Sequence, residues 1–281
     1  MQMNRWLYPP SLEQASWAKI KEVSDAGLAS QYWNVGDMKK IVLNGTVGMI
    51  NFNNFETYVY IIGIDHNKKI EGTGITFGCF KTKDGVDIAL VDSNYNNSKG
   101  SEDGTKYFNM NHGGMSNKYG WKGCDVRYDV LGSTNKKNGY ATATTATNPV
   151  ANTLMAALPS DLRAVMKPII IYTKNGVEIS NSETEVTDST DYLPLLGEYE
   201  IFGTRTYANS AEKNYQKQYA YYSAGNSKVK YRHDNTSSTA IYSVRSPRWN
   251  NNYAFCVVNT DGNVGAGDAD VPYALAPIFR V

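Results

Sequence analysis

Three histidines (His66, His112 and His233) and three cysteines (Cys79, Cys124 and Cys256) are the residues of this 281-residue chain best suited to metal ligation or nucleophilic chemistry. No histidine stands at ligand spacing to another His or a Cys, and no two cysteines form a C-x-x-C pair. The sequence therefore offers neither a zinc site nor a redox dithiol. Asp65-His66-Asn67, at the end of a predicted strand, has the residue types for metal or acid–base work, but a structural role is the expectation. Cys256, beside Phe255 in an inward-facing strand, reads as an inert buried thiol, and a nucleophile would need a base that the sequence does not identify. Asp261, Asn263 and Gly265 share the start of a calcium loop. Ala266 stands where that loop needs glycine, however, and Pro272 where it needs its bidentate Glu. Gly265-Ala266-Gly267 lacks the third glycine and following helix of a dinucleotide loop. The expectation is a protein without metal, cofactor or catalytic residues.

What remains is the chemistry of recognition, concentrated in Thr239 to Val281. Loops there carry Arg248, Trp249, Asn250, Asn251, Asn252, Tyr253, Asn259, Asp261 and Asn263. Such a mixture of rigid aromatics and small adaptable hydrogen-bonding groups is typical of evolved binding surfaces. The candidate contact set adds Tyr242, Val244, Val257, Asp268, Asp270 and Tyr273. From Tyr231 onward there is no Lys, Glu, Gln or Met, and Trp249 is the only Trp, although all five types occur earlier. The gap suggests a separate history for the segment.

The elements that must position these residues follow from periodicity and turn chemistry. Ser11 with Gln14 makes a capping box opening a helix with Trp17, Ile20 and Val23 on one face. The extended N-terminal arm before it closes at Pro9 and Pro10, and a short turn, Asp25 to Tyr32, follows. Strands are predicted at Lys40–Leu43, Thr46–Phe52 and Phe55–Ile64, separated by turns at Asn44-Gly45 and Asn53-Asn54. Gly74–Phe80 and Val86–Val91 form another hairpin about Lys83-Asp84-Gly85. Asp92 to Gly120 is polar and too long for an ordinary connection, so it is a surface excursion or a functional loop; the first is preferred.

Helices are expected over Trp121–Leu131, with Trp121, Cys124 and Tyr128 inward, from Asn148-Pro149 to Leu158, and over Asp161–Met166 after Ser160. Gly132 to Thr147, rich in Thr and Ala, gives no usable signal. Ile169–Thr173 reads as a strand, Lys174-Asn175-Gly176 as a turn, and Glu178–Thr190 as an acidic loop. Leu193–Phe202 is apolar apart from Glu198 and Glu200. Ser210 opens an amphipathic helix carrying Tyr215, Tyr219 and Tyr222 against a sheet. Strands at Ile241–Val244 and Tyr253–Val258 and a closing strand around Leu275–Val281 finish the chain. Arg245 is expected to pair with Glu198 or Glu200 and stiffen the loop after it.

The runs Tyr242-Ser-Val-Arg-Ser-Pro247, Ala254-Phe-Cys256, Asp261-Gly262 and Ala274-Leu-Ala-Pro-Ile-Phe279 resemble the closing signature of a domain family of unknown function in gut bacteria and their phages. Tyr32-Trp-Asn-Val-Gly-Asp37, Gly63-Ile-Asp-His-Asn67 and Asp191-Tyr-Leu-Pro-Leu-Leu-Gly-Glu-Tyr-Glu200 fit the same family. The C-terminal end is also similar to the variable region of proteins diversified by retroelements. In that system template adenines mutate, so Asn codons fan out without reaching Lys, Glu, Gln, Met or Trp. The composition gap suits such a process, and Trp249 departs from it.

The resemblance implies an α+β fold, a C-type-lectin-like domain with twisted antiparallel sheets flanked by helices. It would span 1–281 as a single domain, with 239–281 as the variable ligand-binding segment and the last strand returning to the N-terminal region. Calcium-dependent sugar binding is not implied, because Ser246-Pro247-Arg248 and Trp249-Asn250-Asn251 depart from the motifs of calcium-binding lectins. The implied function is a phage virion or tail-tip adhesin that recognises a host cell-surface receptor, protein or glycan. The alternative is a structural virion or surface assembly protein with no receptor of its own. An enzyme akin to the formylglycine-generating enzymes would need paired reactive cysteines that the chain lacks.

Composition narrows the partners. A formal charge of +1 and a pI near 7.6 leave no clustered basic face for nucleic acid. Hydrophobic content of 41% and charged content of 20% are globular values. No run approaches the roughly 18 apolar residues of a membrane span, and the first ten residues are too polar for a signal peptide. The expectation is therefore no membrane insertion, synthesis in a host cytoplasm, and residence in a virion as a homo-oligomer beside other virion proteins.

Overall fold

The computed structural model describes residues 10–97, 105–133 and 146–281. The N-terminal arm through Pro9, positions 98–104 of the polar stretch and 134–145 of the Thr- and Ala-rich one lie outside the described residues. Helix α1 (Trp17–Asp25) buries Trp17, Ile20 and Val23, as their spacing predicts. Its cap is Ser16, whose hydroxyl accepts from Lys19 N at 3.2 Å. Ser11 heads a preceding turn instead, accepting Gln14 N at its carbonyl (3.0 Å). After α2 (Ala29–Tyr32), strands β1 (Met38–Val47) and β2 (Ile50–Ile64) form one long hairpin paired from Met38↔Tyr60 to Val47↔Ile50.

The chain therefore reverses at Gly48-Met49 and not at Asn44-Gly45 or Asn53-Asn54. Asn-Gly accepts positive φ as well in a bulge as in a turn. Gly45 (φ 115°) and Asn54 (φ 48°) lie at the shift in register, where Asn44 Oδ1 accepts Asn54 N at 2.8 Å. Gly48 suits the real turn, since its φ is positive and a Cβ there would stand 2.5 Å from Lys106 O.

Helix α3 (Lys68–Glu71) and strand β3 (Ile75–Lys81) follow. The predicted Val86–Val91 strand shrinks to β4 (Ile88–Ala89) because Leu90 exchanges both backbone hydrogen bonds with Leu275 (3.0 and 2.9 Å). The expected Trp121–Leu131 helix is broken into α4 (Gly120–Gly123) and α5 (Asp125–Asp129), with Cys124 extended between them. The break lets Trp121 and Arg127 both reach Asp191. Helix α6 (Leu154–Ala157) starts at a Thr153 cap and not at Asn148-Pro149, and α7 (Ser160–Arg163) is a single turn. β5 (Ile169–Lys174) pairs with β6 (Val186–Asp191), so part of the expected acidic loop is a strand.

Helix α8 (Glu198–Phe202) is followed by a 3-10 turn, Ser210–Asn214, and by α9 (Ala220–Ser223). The tyrosine helix is thus interrupted: Tyr219 is extended and gives its N–H to Glu200 O at 3.0 Å. Tyr219 and Tyr222 are buried, whereas Tyr215 stacks on Tyr172 at 4.2 Å.

The remaining strands are β7 (Lys230–Arg232), β8 (Asn235–Ala240), β9 (Tyr242–Pro247), β10 (Ala254–Val258), β11 (Val264–Asp268) and β12 (Ile278–Arg280). The sheets run β1-β2-β3-β12, β11-β10-β9, β4-β7-β8 and β5-β6, antiparallel throughout except for the β4–β7 pair. This is an α+β arrangement. The last strand does return to the N-terminal region: β12 pairs with β3, and Ser24 Oγ donates to Val281 O at 2.7 Å. Trp17 meets Phe77 and Phe279 edge-on at 5.6 and 6.0 Å, closing the core over that junction. Among the described residues no helix is long and apolar enough to cross a membrane.

Candidate binding surface

Strands β9 and β10 are buried along their whole length, so side chains on both faces belong to the interior. Tyr242, Val244 and Val257, expected at the contact surface, are core residues at 2%, 0% and 3% exposure. They leave the candidate set. Arg245 is buried as well and forks onto Glu200, with Nη1 to Oε2 at 2.6 Å and Nη2 to Oε1 at 2.7 Å. The predicted pair thus forms with Glu200. Glu198 instead accepts the N–H groups of Thr206, Tyr207 and Ala208. Ser246 Oγ donates to Glu212 Oε2 at 2.7 Å, and burial pushes the Glu212 carboxyl up to about 7. This buried network anchors the base of the loop between β9 and β10.

The loop, Arg248 to Tyr253, is held from inside. Asn117 donates from its amide to Ala254 O at 2.6 Å, Asn251 O at 3.1 Å and Arg248 O at 3.2 Å. Asn251 is 8% exposed, and its Oδ1 accepts Ala254 N and Tyr253 N at 3.0 and 3.2 Å. Asn251 therefore shapes the loop and cannot serve as a contact residue. Trp249 N donates to Tyr207 O at 2.9 Å, Arg248 lies over the Tyr207 ring, and Arg205 lies over the Trp249 ring. The side chains of Asn250, Asn252 and Tyr253 remain exposed, with Arg248 and Trp249 half-buried beside them.

The other candidates divide between the two ends of β10. Asp268 pairs with Ala254, and Ala269 N donates to Tyr253 O at 2.9 Å, so Asp268 and Asp270 share the end of the sheet with the loop. Tyr273 is half-buried, its ring against Gly267, where a Cβ would come within 2.4 Å. Asn259, Asp261 and Asn263 form the β10–β11 turn, in which Asp261 Oδ1 accepts Asn263 N at 2.9 Å. Five residues of strand separate that turn from the loop, roughly 17 Å at strand rise. The set read from the sequence is therefore two surfaces.

Sequence reasoning missed the second wall of the loop surface. Gly113 to Tyr119 lies against the loop, joined by Asn117 N to Asn252 O at 2.9 Å, and exposes Met115 (52%) and Tyr119 (50%), as the loop exposes Tyr253 (40%). The polar stretch that contains it is no simple surface excursion, since Phe108, Met110 and Asn117 are buried. A lone Asn among many Asn, Gly and Ser residues carries no local mark of such a role. Replacing Asn117 with Ala is expected to cost about 1–3 kcal/mol, because several loop carbonyls lose their donor. Hydrogen exchange at 248–254 should accelerate while the β1–β2 hairpin stays protected, and unchanged loop exchange would refute the bracing role.

The cysteines, His112 and His233 are not among this surface's exposed side chains. All three cysteines are free and buried, and burial raises each thiol above its ordinary range. His112 sits between Asp129 and the Tyr107 carbonyl, and His233 Nδ1 accepts Val91 N at 3.1 Å. Among the described residues no group of three or more His, Cys, Asp or Glu is placed to hold a metal ion.

Residues 105–281 match the family described as Domain of unknown function (DUF6273). The runs at Asp191–Glu200 and in the closing strands lie inside the match, and those at Tyr32–Asp37 and Gly63–Asn67 lie outside it. No curated protein and no solved structure matches the chain.

Proposed function

We propose, for a chain that belongs to this family of domains of unknown function, that it is a ligand-binding protein working through the face built by 113–119 and 248–253. One observation carries the reading: the loop backbone is fixed from within by Asn117 and Asn251, while Asn250, Asn252 and Tyr253 point outward. A preordered loop loses little conformational entropy on binding, and its exposed amides and aromatic ring are the residue types that recognise varied partners. Substitutions at such exposed sites leave stability within about 0.5 kcal/mol, which suits a surface that changes its target. In this reading the scaffold is C-type-lectin-like, and the protein is a phage virion or tail-tip adhesin whose 239–281 segment is diversified against host receptors. Several copies on one particle would raise weak contacts to useful avidity.

The second reading is an assembly protein. It draws on the exposed Met115, Tyr119 and Tyr253, since exposed apolar groups also serve contacts between subunits. The two separate in one experiment. Labelled full-length protein is offered to a panel of intact gut-bacterial cells, beside the triple variant Asn250→Ala, Asn252→Ala, Tyr253→Ala. Cell binding that the variant loses, with its melting temperature kept, is the expected result. Equal binding by both proteins would overturn the assignment of the face. No binding by either, with the variant alone losing self-association, would establish the assembly reading.

A further inference from the structure

A cleft of about 610 Å³ lies between Asp65–Ile70 on one side and Lys213–Lys217 on the other. Its interior wall is the His66 ring, stacked on buried Tyr219 with centroids 3.7 Å apart and planes 15° from parallel. Gly63 makes the stack fit, since a Cβ there would stand 2.9 Å from the Tyr219 ring. Burial pushes the His66 imidazole down to about 4, so near neutral pH the ring is an uncharged flat surface.

Four lysines line this cleft: Lys68 and Lys69 on one wall, Lys213 and Lys217 on the other. Asp65 neutralises Lys68 at 2.8 Å. Lys69, Lys213 and Lys217 have no ion pair among the described residues, and all three are exposed. Lysines without acidic partners around one concavity give it a positive potential, and a cleft concentrates such a field. The same walls hold Asn67, Asn214 and the exposed apolar side chain of Ile70. Asn214 Nδ2 also donates to Glu183 Oε1 at 3.2 Å, and Gln216 is buried, its amide given to Tyr172 O at 2.7 Å and Glu212 Oε2 at 3.0 Å. Amides serve hydroxyl groups by both donating and accepting, and a flat ring face takes an apolar C–H surface.

We propose that this cleft binds an acidic saccharide, its carboxylate, sulfate or phosphate group between the lysines of the two walls and its hydroxyls on Asn67 and Asn214. The cleft shares no residue with 239–281, so the proposal stands whether or not that face binds a receptor. A nucleic-acid strand would call for a longer basic track and a row of exposed aromatics, which the cleft lacks.

The test is calorimetric titration of the full chain with an oligogalacturonate, a heparin-derived tetrasaccharide, neutral maltotriose, inorganic sulfate and a short oligothymidylate. The variants are Lys213→Glu with Lys217→Glu, and Lys213→Gln with Lys217→Gln, each checked for an unchanged melting temperature. One acidic saccharide should bind and weaken at high salt, and the charge-reversed variant should bind it at least tenfold less tightly. The Gln variant should fall between, and maltotriose should not bind. Sulfate binding as tightly as the saccharide would overturn the saccharide assignment, and preference for the oligothymidylate would replace it with nucleic acid. No acidic saccharide bound, or affinity unaffected by charge reversal, would overturn the site.

Discussion

Arg245→Ala is expected to destabilise the protein by about 3–5 kcal/mol, the range for stripping one partner from a buried ion pair. The guanidinium is fully buried, and besides its fork onto Glu200 it donates to Leu195 O at 2.6 Å. Its loss leaves the Glu200 carboxylate buried, with Gly197 N at 2.8 Å as a remaining donor. Burial by itself would raise that carboxyl, but Arg245 overrides it and holds it below its ordinary value of 4.5. A carboxyl depressed on folding contributes stability that is present above its unfolded value and is lost as pH falls below it. The wild-type protein should therefore lose the benefit of the pair progressively below about pH 4.5, and the variant, lacking the benefit, should show no such limb from Glu200. Arg245→Lys should recover part of the loss and not all, since an ammonium cannot make the planar fork. Denaturant titration at pH 7 gives the reading. A change below about 1 kcal/mol would show that the pair does not hold the base of the loop.

Asp87→Ala should cost a comparable amount, about 3–5 kcal/mol, because one carboxylate serves two buried lysines. Lys81 Nζ lies 2.8 Å from Asp87 Oδ2 and Lys230 Nζ lies 3.4 Å from Oδ1, while Tyr221 donates its hydroxyl to Oδ2 at 3.2 Å. Both ammonium groups also face the Tyr60 ring, at 4.5 and 5.6 Å. The cluster ties the end of β3 to β7 across β4, where the local backbone pairing is short. Burial already lowers the Lys230 ammonium, with Asp87 opposing it. Without Asp87 it would be lowered further. A base depressed on folding gains stability with rising pH, so the deficit of Asp87→Ala should narrow as pH climbs towards the lysine range. Adding Lys230→Met should restore part of the loss by removing one stranded charge, read as a coupling energy in a double-mutant cycle. Additive losses would mean that the pair is not coupled.

Local pattern carried the sequence reading where one face of an element meets the core. Trp17, Ile20 and Val23 at helical spacing, the β3 and β5 runs, and an Arg followed by a stiffened loop were all legible, because each depends on neighbours in the chain. The helices read at 121–131 and from Ser210 to Tyr222 failed for a shared reason. Their aromatic spacing was sound, but contacts with Asp191 and Glu200 broke each into short turns.

The C-terminal segment shows the same division. Its sequence alone determined that strands alternate with polar loops, that Arg245 needs an acidic partner, and that the loops are rich in Asn, Asp and aromatic residues. Tertiary structure decided which of those residues can meet a partner. Tyr242, Val244 and Val257 sit in strands covered on both faces, so the alternation that marks an exposed face is absent. Asn251 is turned inward by Asn117, which lies 134 residues earlier in the chain. The segment carrying Met115 and Tyr119 lies beside the loop only because that same long-range contact brings it alongside. Such contacts are set by the packing of distant elements, and no local periodicity encodes them.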